Sequence, residues 1–251
     1  MVETIHEKKS KLNMQDTNMY TDGTYFKNNP SWDVEDSAWK AKKIAKLLQK
    51  NNIGINQVTD IGCGAGAIIH ELALQFPAVA SFQGFDISAD AIGLAKKYGT
   101  DRVRFYNEDF TSIASSKTDL LLLIDVVEHV EDYYGFLKKL SSRSHYFIFH
   151  IPLDLSCRTL LKPHVLLQQR EAVGHLHYYS KEMVWWLLKD TGYTIIDWVY
   201  TKPNGDTGKS KNWKQGIKKL LRNFSYSISP GLSDKLWGGY SLMILARHEQ
   251  A

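Results

Sequence analysis

Three glycines within five residues, Gly62, Gly64 and Gly66, stand where a short apolar run ends and a helical pattern begins. The run Gln57–Ile61 reads as a strand and Ala67–Gln75 as the helix after it. Few folds are open to a chain that turns from strand to helix through Asp60-Ile61-Gly62-Cys63-Gly64-Ala65-Gly66. Glycine permits the tight turn, lets backbone approach a ligand with no Cβ in the way, and allows the helix to pack closely. The amides that open such a helix favour an anion, either a phosphate or a carboxylate.

The pattern continues as an alternation. Strand candidates are Gln57–Ile61, Ser81–Phe85, Arg102–Tyr106, Thr118–Ile124 and His145–Ile151, with helical segments near Ala67–Gln75, Ala89–Lys97 and Val130–Leu140. Strand–helix alternation implies a parallel sheet with helices on both faces, an α/β fold. A helix at Ser180–Lys189, a strand at Tyr193–Tyr200 and a last strand at Tyr240–Ala246 follow, the last two joined by a long connection. With 251 residues, 43% hydrophobic and 23% charged, the chain is expected to form a single domain with an ordinary core. Within 1–251 we expect an N-terminal arm and lid helix over 1–50, a ligand-binding core over 57–151, and cap segments at 152–179 and 202–238. The arm reads as flexible over 1–34, with Asp33, Asp36 and Ser37 as N-cap choices for the lid helix.

Charge is uneven. The net charge is +4, yet residues 202–222 hold seven basic residues (Lys202, Lys209, Lys211, Lys214, Lys218, Lys219, Arg222) against Asp206 alone. The rest of the chain is therefore slightly acidic, a small footprint for a nucleic acid, and none is expected as partner. Two cysteines, Cys63 and Cys157, cannot form a disulfide framework and suit a reducing compartment. The polar N-terminus lacks a signal-peptide pattern, and the longest apolar run, Leu120 to Ile124, is far short of a bilayer span. A cytoplasmic location is expected.

Two features fall in register with the glycine turn. Asp86 ends the second strand, 20 residues after Gly66, the offset at which an acid accepts both hydroxyls of a ribose. Asn107-Glu108-Asp109-Phe110 ends the third strand, where an acid and an aromatic suit an adenine ring. With the run Asp125-Val126-Val127-Glu128-His129-Val130, this ordered series resembles class I S-adenosylmethionine-dependent methyltransferases. It is most similar to the small-molecule branch that includes the ubiquinone-biosynthesis O-methyltransferases. The resemblance spans roughly 36–200 with a compatible strand at 240–247. It implies a Rossmann-like three-layer sandwich, with a seven-stranded, mostly parallel sheet and an antiparallel last strand.

The resemblance also implies roles. Gly62, Gly64 and Gly66 would line the methionine part of S-adenosylmethionine, and Asp60 would orient its amino group through water. Asp86 would hold the ribose and Asp109 the adenine amine, with Ile87 and Phe110 packing beside the ring. Cys63 reads as packing, since nothing nearby marks a thiolate. Lys40, on the lid helix, could pair with the cofactor carboxylate or simply be solvated. The competing ligand is NAD, but dinucleotide folds place the third glycine one residue later and start nearer the terminus.

Methyl transfer needs positioning, and a base only where the acceptor must lose a proton. Asp125, Glu128 and His129 at i, i+3, i+4 share one side of a helical turn, and His129 is the candidate base because imidazole titrates near neutrality. The other reading is that the Glu-His pair only packs against the cofactor. The same cluster resembles the metal site of small-RNA 2′-O-methyltransferases. By that likeness Asp125, Glu128, His129 and His175 would hold a divalent metal; Asp in the place of the usual first Glu argues against it. His150, at the end of the fifth strand, could also face the acceptor.

The acceptor pocket is expected from Tyr20, Tyr25, Trp39 and Lys40, from Pro152–Tyr179, and from the late insertion. Trp213, Ile217, Leu220, Leu221 and Phe224 recur there at helical spacing among basic residues. We expect this helix to pack its apolar stripe on the domain. The alternatives for 211–224 are peripheral contact with an anionic membrane or grip on a phosphorylated acceptor. The expected function is methyl transfer to an oxygen or nitrogen of a small molecule, such as a sugar, a nucleotide-sugar or a secondary metabolite. The alternatives are a non-catalytic cofactor-binding scaffold of the same fold and, less favoured, a NAD-dependent oxidoreductase.

Overall fold

The computed structural model describes residues 17–32, 34–113, 117–202 and 213–248. Asp33, most of the expected N-terminal arm, and Asp206, Lys209 and Lys211 of the basic segment lie outside the described residues, as do the side chains of Lys214, Lys218 and Lys219. The strands are β1 Gln57–Ile61, β2 Ser81–Phe85, β3 Val103–Tyr106, β4 Thr118–Ile124, β5 Ser144–Leu153, β6 Tyr193–Thr201 and β7 Tyr240–His248. The helices are α1 Thr24–Asn28, α2 Val34–Lys50, α3 Ala67–Gln75, α4 Ala89–Ala95, α5 Tyr133–Leu140, α6 Cys157–Leu161, α7 His164–Val173, α8 Lys181–Asp190, α9 Trp213–Ile228 and α10 Pro230–Trp237.

The seven strands form one sheet in the order β3-β2-β1-β4-β5-β7-β6. All neighbours are parallel except β7, which runs antiparallel to both β5 and β6. The expected mixed sheet with an antiparallel last strand is therefore the observed one. The cause is visible in β4. Leu120, Leu121, Leu122 and Leu123 are all fully buried, alternately entering the cores on the two faces. A continuous apolar run is the mark of a strand covered on both sides. On one face Leu120 and Leu122 meet Ile44 and Leu48 of α2 and Ile69 and Leu72 of α3. On the other, Leu121 and Leu123 meet Leu137 of α5 and Val184 and Leu188 of α8.

One helix starts later than expected. The helix foreseen from Val130 begins only at Tyr133, because the Asp132 carboxylate accepts the Gly135 N–H at 2.8 Å and caps it there. Before it, Val127–His129 forms a short 3₁₀ turn. The expected cap 152–179 carries α6 and α7, and the long connection before β7 carries α9 and α10. Among the described residues no helix is long and apolar enough to cross a membrane.

Gly66 ties the loop to the sheet. Its φ is +75°, and a Cβ there would lie 2.5 Å from the Phe105 ring and 2.9 Å from Ala95. Left-handed backbone and steric collision both oppose a side chain. Gly66→Ala should lower stability by about 3 kcal/mol in denaturant unfolding. Gly93→Ala, in α4 with open space around its Cβ position, should instead raise it by about 1 kcal/mol.

Candidate active site

Strand order reverses between β1 and β4, so the connections after them leave in opposite directions and open a crevice at their C-terminal ends. A cavity of about 480 Å³ lies there, a size ordinary for a small-molecule site. The glycine turn forms its floor. Gly62, Gly64 and Gly66 all have positive φ, and the Gly62 N–H donates to the Phe85 carbonyl at 2.8 Å. Gly62, Cys63 and Gly64 line the cavity, whereas Gly66 stands behind the wall against Phe105. Cys63 is buried, and that burial pushes its thiol well up, so it is held as a neutral packing group. Gly84 makes room for it: a Cβ there would lie 2.8 Å from the Cys63 sulfur.

The acids at the strand ends are placed differently. The Asp86 carboxylate lies on the wall, accepting the Gly64 N–H at 2.9 Å and the Ser88 N–H at 2.8 Å. Burial raises its pKa and these two donors oppose the rise. Asp60 lies under the floor, wholly buried, with one carboxylate oxygen lacking a partner among the described residues. Burial and the nearby Asp86 push its pKa well up against the pull of Lys40. Asp109 lines the cavity and caps the turn Phe110–Ser112, accepting both the Thr111 N–H and hydroxyl. Ile87 also lines it, and Phe110 reaches it from the core, edge-on to Phe85.

Over this floor lies an aromatic lid. Tyr20, Tyr25 and Trp32 line the cavity, pack ring against ring, and bring the Trp32 indole over Gly64. Trp32 was absent from the sequence reading because it belongs to no periodic segment. Trp39, expected in the pocket, is not on the cavity wall.

At the other end of the cavity the acids and histidines of the fourth-strand motif divide into two groups, not one face. Asp125 follows β4 with a φ of +54°. One oxygen meets Lys40 Nζ at 2.7 Å and the other His150 Nδ1 at 2.6 Å. Burial would raise the Asp125 pKa, but His150 and Lys40 outweigh it and hold the acid below the usual carboxylate range. The other nitrogen of His150 bonds the Thr201 hydroxyl at 2.8 Å. Lys40, a candidate partner for a cofactor carboxylate, is thus ion-paired to Asp125 while still forming part of the wall.

The second group is Glu128, His129 and His175, whose ligand-type atoms all lie within 4.8 Å of one another. Asp125, expected as a fourth member, is not among them. Glu128 is fully buried; neither carboxylate oxygen has a hydrogen-bond partner among the described residues, and Oε1 lies 3.9 Å from His129 Nε2. Burial, reinforced by Asp125, drives its pKa well up. His129 Nδ1 lies 3.1 Å from the Gly174 carbonyl and 2.8 Å from the Tyr20 hydroxyl. A carbonyl only accepts, and Tyr20 donates to the Val173 carbonyl, so Nδ1 carries the proton and Nε2 has a free lone pair. Burial, then His175, lowers the His129 pKa to about 4, leaving the ring neutral at pH 7. His175 Nδ1 lies 2.8 Å from the Asp154 carboxylate. The sequence reading missed Asp154, Tyr20 as a partner of His129, and Thr201; each comes from a distant segment and carries no local pattern.

This arrangement is a Rossmann-like fold with its cavity at the strand-order reversal. A family model described as "Methyltransferase domain" matches residues 35–197, and the chain belongs to that family. Among curated proteins none matches its sequence. Solved structures share the fold at low identity. The magnesium protoporphyrin IX methyltransferase of Synechocystis PCC 6803 with bound SAH is 18% identical with a TM-score of 0.57, over 84% of this chain and 83% of that one. The N-methyltransferase NodS of Bradyrhizobium japonicum WM9, in complex with S-adenosyl-L-homocysteine, is 17% identical with a TM-score of 0.57, over 92% and 99%. The plantazolicin methyltransferase BpumL, in complex with SAH, is 15% identical with a TM-score of 0.55, over 94% and 92%.

The Asp125 ion pair is testable by itself. Lys40→Met should cost about 2 kcal/mol in denaturant unfolding, since it leaves a carboxylate with one partner fewer. The same change made in Asp125→Asn should cost less, and the difference measures the pairing.

Proposed function

We propose that this chain transfers the methyl group of S-adenosylmethionine to an oxygen or nitrogen of a small molecule. The observation that carries the reading is one cavity at the strand-order reversal lined by the glycine turn, Asp86, Asp109 and His129. S-adenosylmethionine supplies a methyl carbon on a positively charged sulfonium, a good leaving group. Gly62 and Gly64 leave room for its amino-acid end, and Asp60 offers a carboxylate oxygen beneath them. Asp86 receives the ribose hydroxyls, with its orientation held by Gly64 and Ser88. Asp109, Ile87 and Phe110 flank the adenine.

His129 takes the acceptor proton. Its Nε2 lone pair is free, its Nδ1–H is held by Gly174 and Tyr20, and the ring is neutral at pH 7. The acceptor oxygen or nitrogen forms its bond to the methyl carbon as the carbon–sulfur bond breaks. The proton passes to His129, and S-adenosylhomocysteine leaves. Tyr20, Tyr25 and Trp32 cover the site and exclude water.

The Glu128–His129–His175 trio supports a second reading of the same site. One orphaned carboxylate and two imidazoles with free Nε2 atoms suit a small divalent cation. The Asp154–His175 bond is the kind of outer contact that orients a ligand histidine. Bound there, a cation would polarise an acceptor oxygen.

Calorimetry on the full chain should show binding of S-adenosylmethionine and S-adenosylhomocysteine and none of NAD. Asp86→Ala should weaken S-adenosylhomocysteine at least about tenfold, the loss of hydrogen bonds to a charged group. Failure to bind either ligand sinks the proposal, and NAD binding in their place supports an oxidoreductase. With phenol, sugar and amine acceptors, His129→Ala should abolish S-adenosylhomocysteine release while retaining cofactor affinity. Retained release would make the protein's histidine a packing group. Chelation followed by Mn²⁺ separates the two readings: restoration that Glu128→Gln abolishes supports the cation, and activity untouched by chelation removes it.

A further inference from the structure

Helix α9 is turned the wrong way round for a surface helix of a free-standing domain. Arg222, Ser225 and Tyr226 face the protein. Arg222 donates to the Gly239 carbonyl at 2.9 Å and to the Tyr240 hydroxyl at 3.2 Å. Ser225 bonds the Ser233 hydroxyl and receives the Trp237 indole N–H, and Tyr226 stacks on Tyr240. The apolar stripe Ile217, Leu220, Leu221, Phe224 and Ile228 faces outward, each residue between 48% and 69% exposed. The expected packing of this stripe on the domain is therefore reversed. The inward side is already committed to hydrogen bonds with β7 and α10, so the helix cannot roll over without breaking them.

The exposed leucines continue on neighbouring elements. Leu232 and Leu236 of α10 are exposed, as are Leu160 and Leu161 of α6, which packs against α10. Exposed apolar residues on helices packed in series, α9 on α10 and α10 on α6, mark an interaction site. Charge selects the occupant. Besides the inward Arg222, the α9 sequence holds three basic residues, Lys214, Lys218 and Lys219, and no acid. Two copies meeting through α9 would oppose like charges, whereas an anionic surface is attracted.

Position adds a second argument. β6 runs parallel to β5, since both oppose β7. The insertion thus leaves the sheet at the edge where β4 and β5 end, and the last residue of β6, Thr201, bonds His150 of the Asp125 group. We propose that α9 and α10 form a docking face for an anionic phospholipid bilayer, which holds the mouth of the cavity beside the lipid headgroups.

Flotation of the full chain with vesicles tests this, and needs neither cofactor nor acceptor. The protein should float with vesicles rich in phosphatidylglycerol and stay behind with pure phosphatidylcholine, and high salt should weaken the binding. The double variant Leu220→Asp, Phe224→Asp should lose roughly tenfold in bound fraction, with an unchanged melting temperature because both side chains are exposed. Absence of flotation with anionic vesicles, or equal flotation by the double variant, overturns the proposal. So does light scattering that shows a dimer which the double variant dissolves.

Discussion

The Asp125 carboxylate ties together the segments at the C-terminal ends of the strands. It sits where β4 stops, on backbone with positive φ, and receives Lys40 from α2 and His150 from β5. Through His150 the connection reaches Thr201 at the end of β6. Four segments distant in sequence are thereby fixed around one charge. Lys40 and His150 together offset the cost of burying that carboxylate. Glu128 and His129 point elsewhere. A regular helical turn would have aligned all three side chains; here Asp125 goes to the sheet end and the other two toward His175.

That division gives the cavity two chemically different regions. On one side lie charged groups already satisfied by each other. On the other lie Glu128, pushed toward its neutral form, and His129, held neutral by burial. A neutral imidazole with its Nδ1–H anchored and its Nε2 open is ready to accept, whether a proton or a cation. The anchoring carbonyl belongs to Gly174 and the hydroxyl to Tyr20, so the lid and the cap segment both set the tautomer.

The sequence was most informative where chemistry and local geometry coincide. The glycine turn was legible because positive φ at Gly62, Gly64 and Gly66 admits little else, and β4 because a run of four leucines suits only a strand covered on both faces. The late insertion was legible as an amphipathic helix but not in its orientation. Periodicity reports that a helix has two faces; which face meets the protein depends on what the protein offers. Here β7 and α10 offer a tyrosine hydroxyl, a serine and a carbonyl, and these take Arg222 and Ser225, leaving the apolar stripe outside.

Sequence alone thus determined the α/β class, the order of elements, and the acids and glycines that follow one another along the strand ends. These are set by residues close in the chain, where backbone preference and spacing act directly. Only the tertiary structure decided that Asp125 parts from Glu128, that Trp32 covers the glycine turn, that Asp154 and Tyr20 orient the two histidines, and that α9 faces outward. Each of these depends on a contact across many residues, and a one-dimensional pattern carries no record of which distant side chain arrives to complete a hydrogen bond.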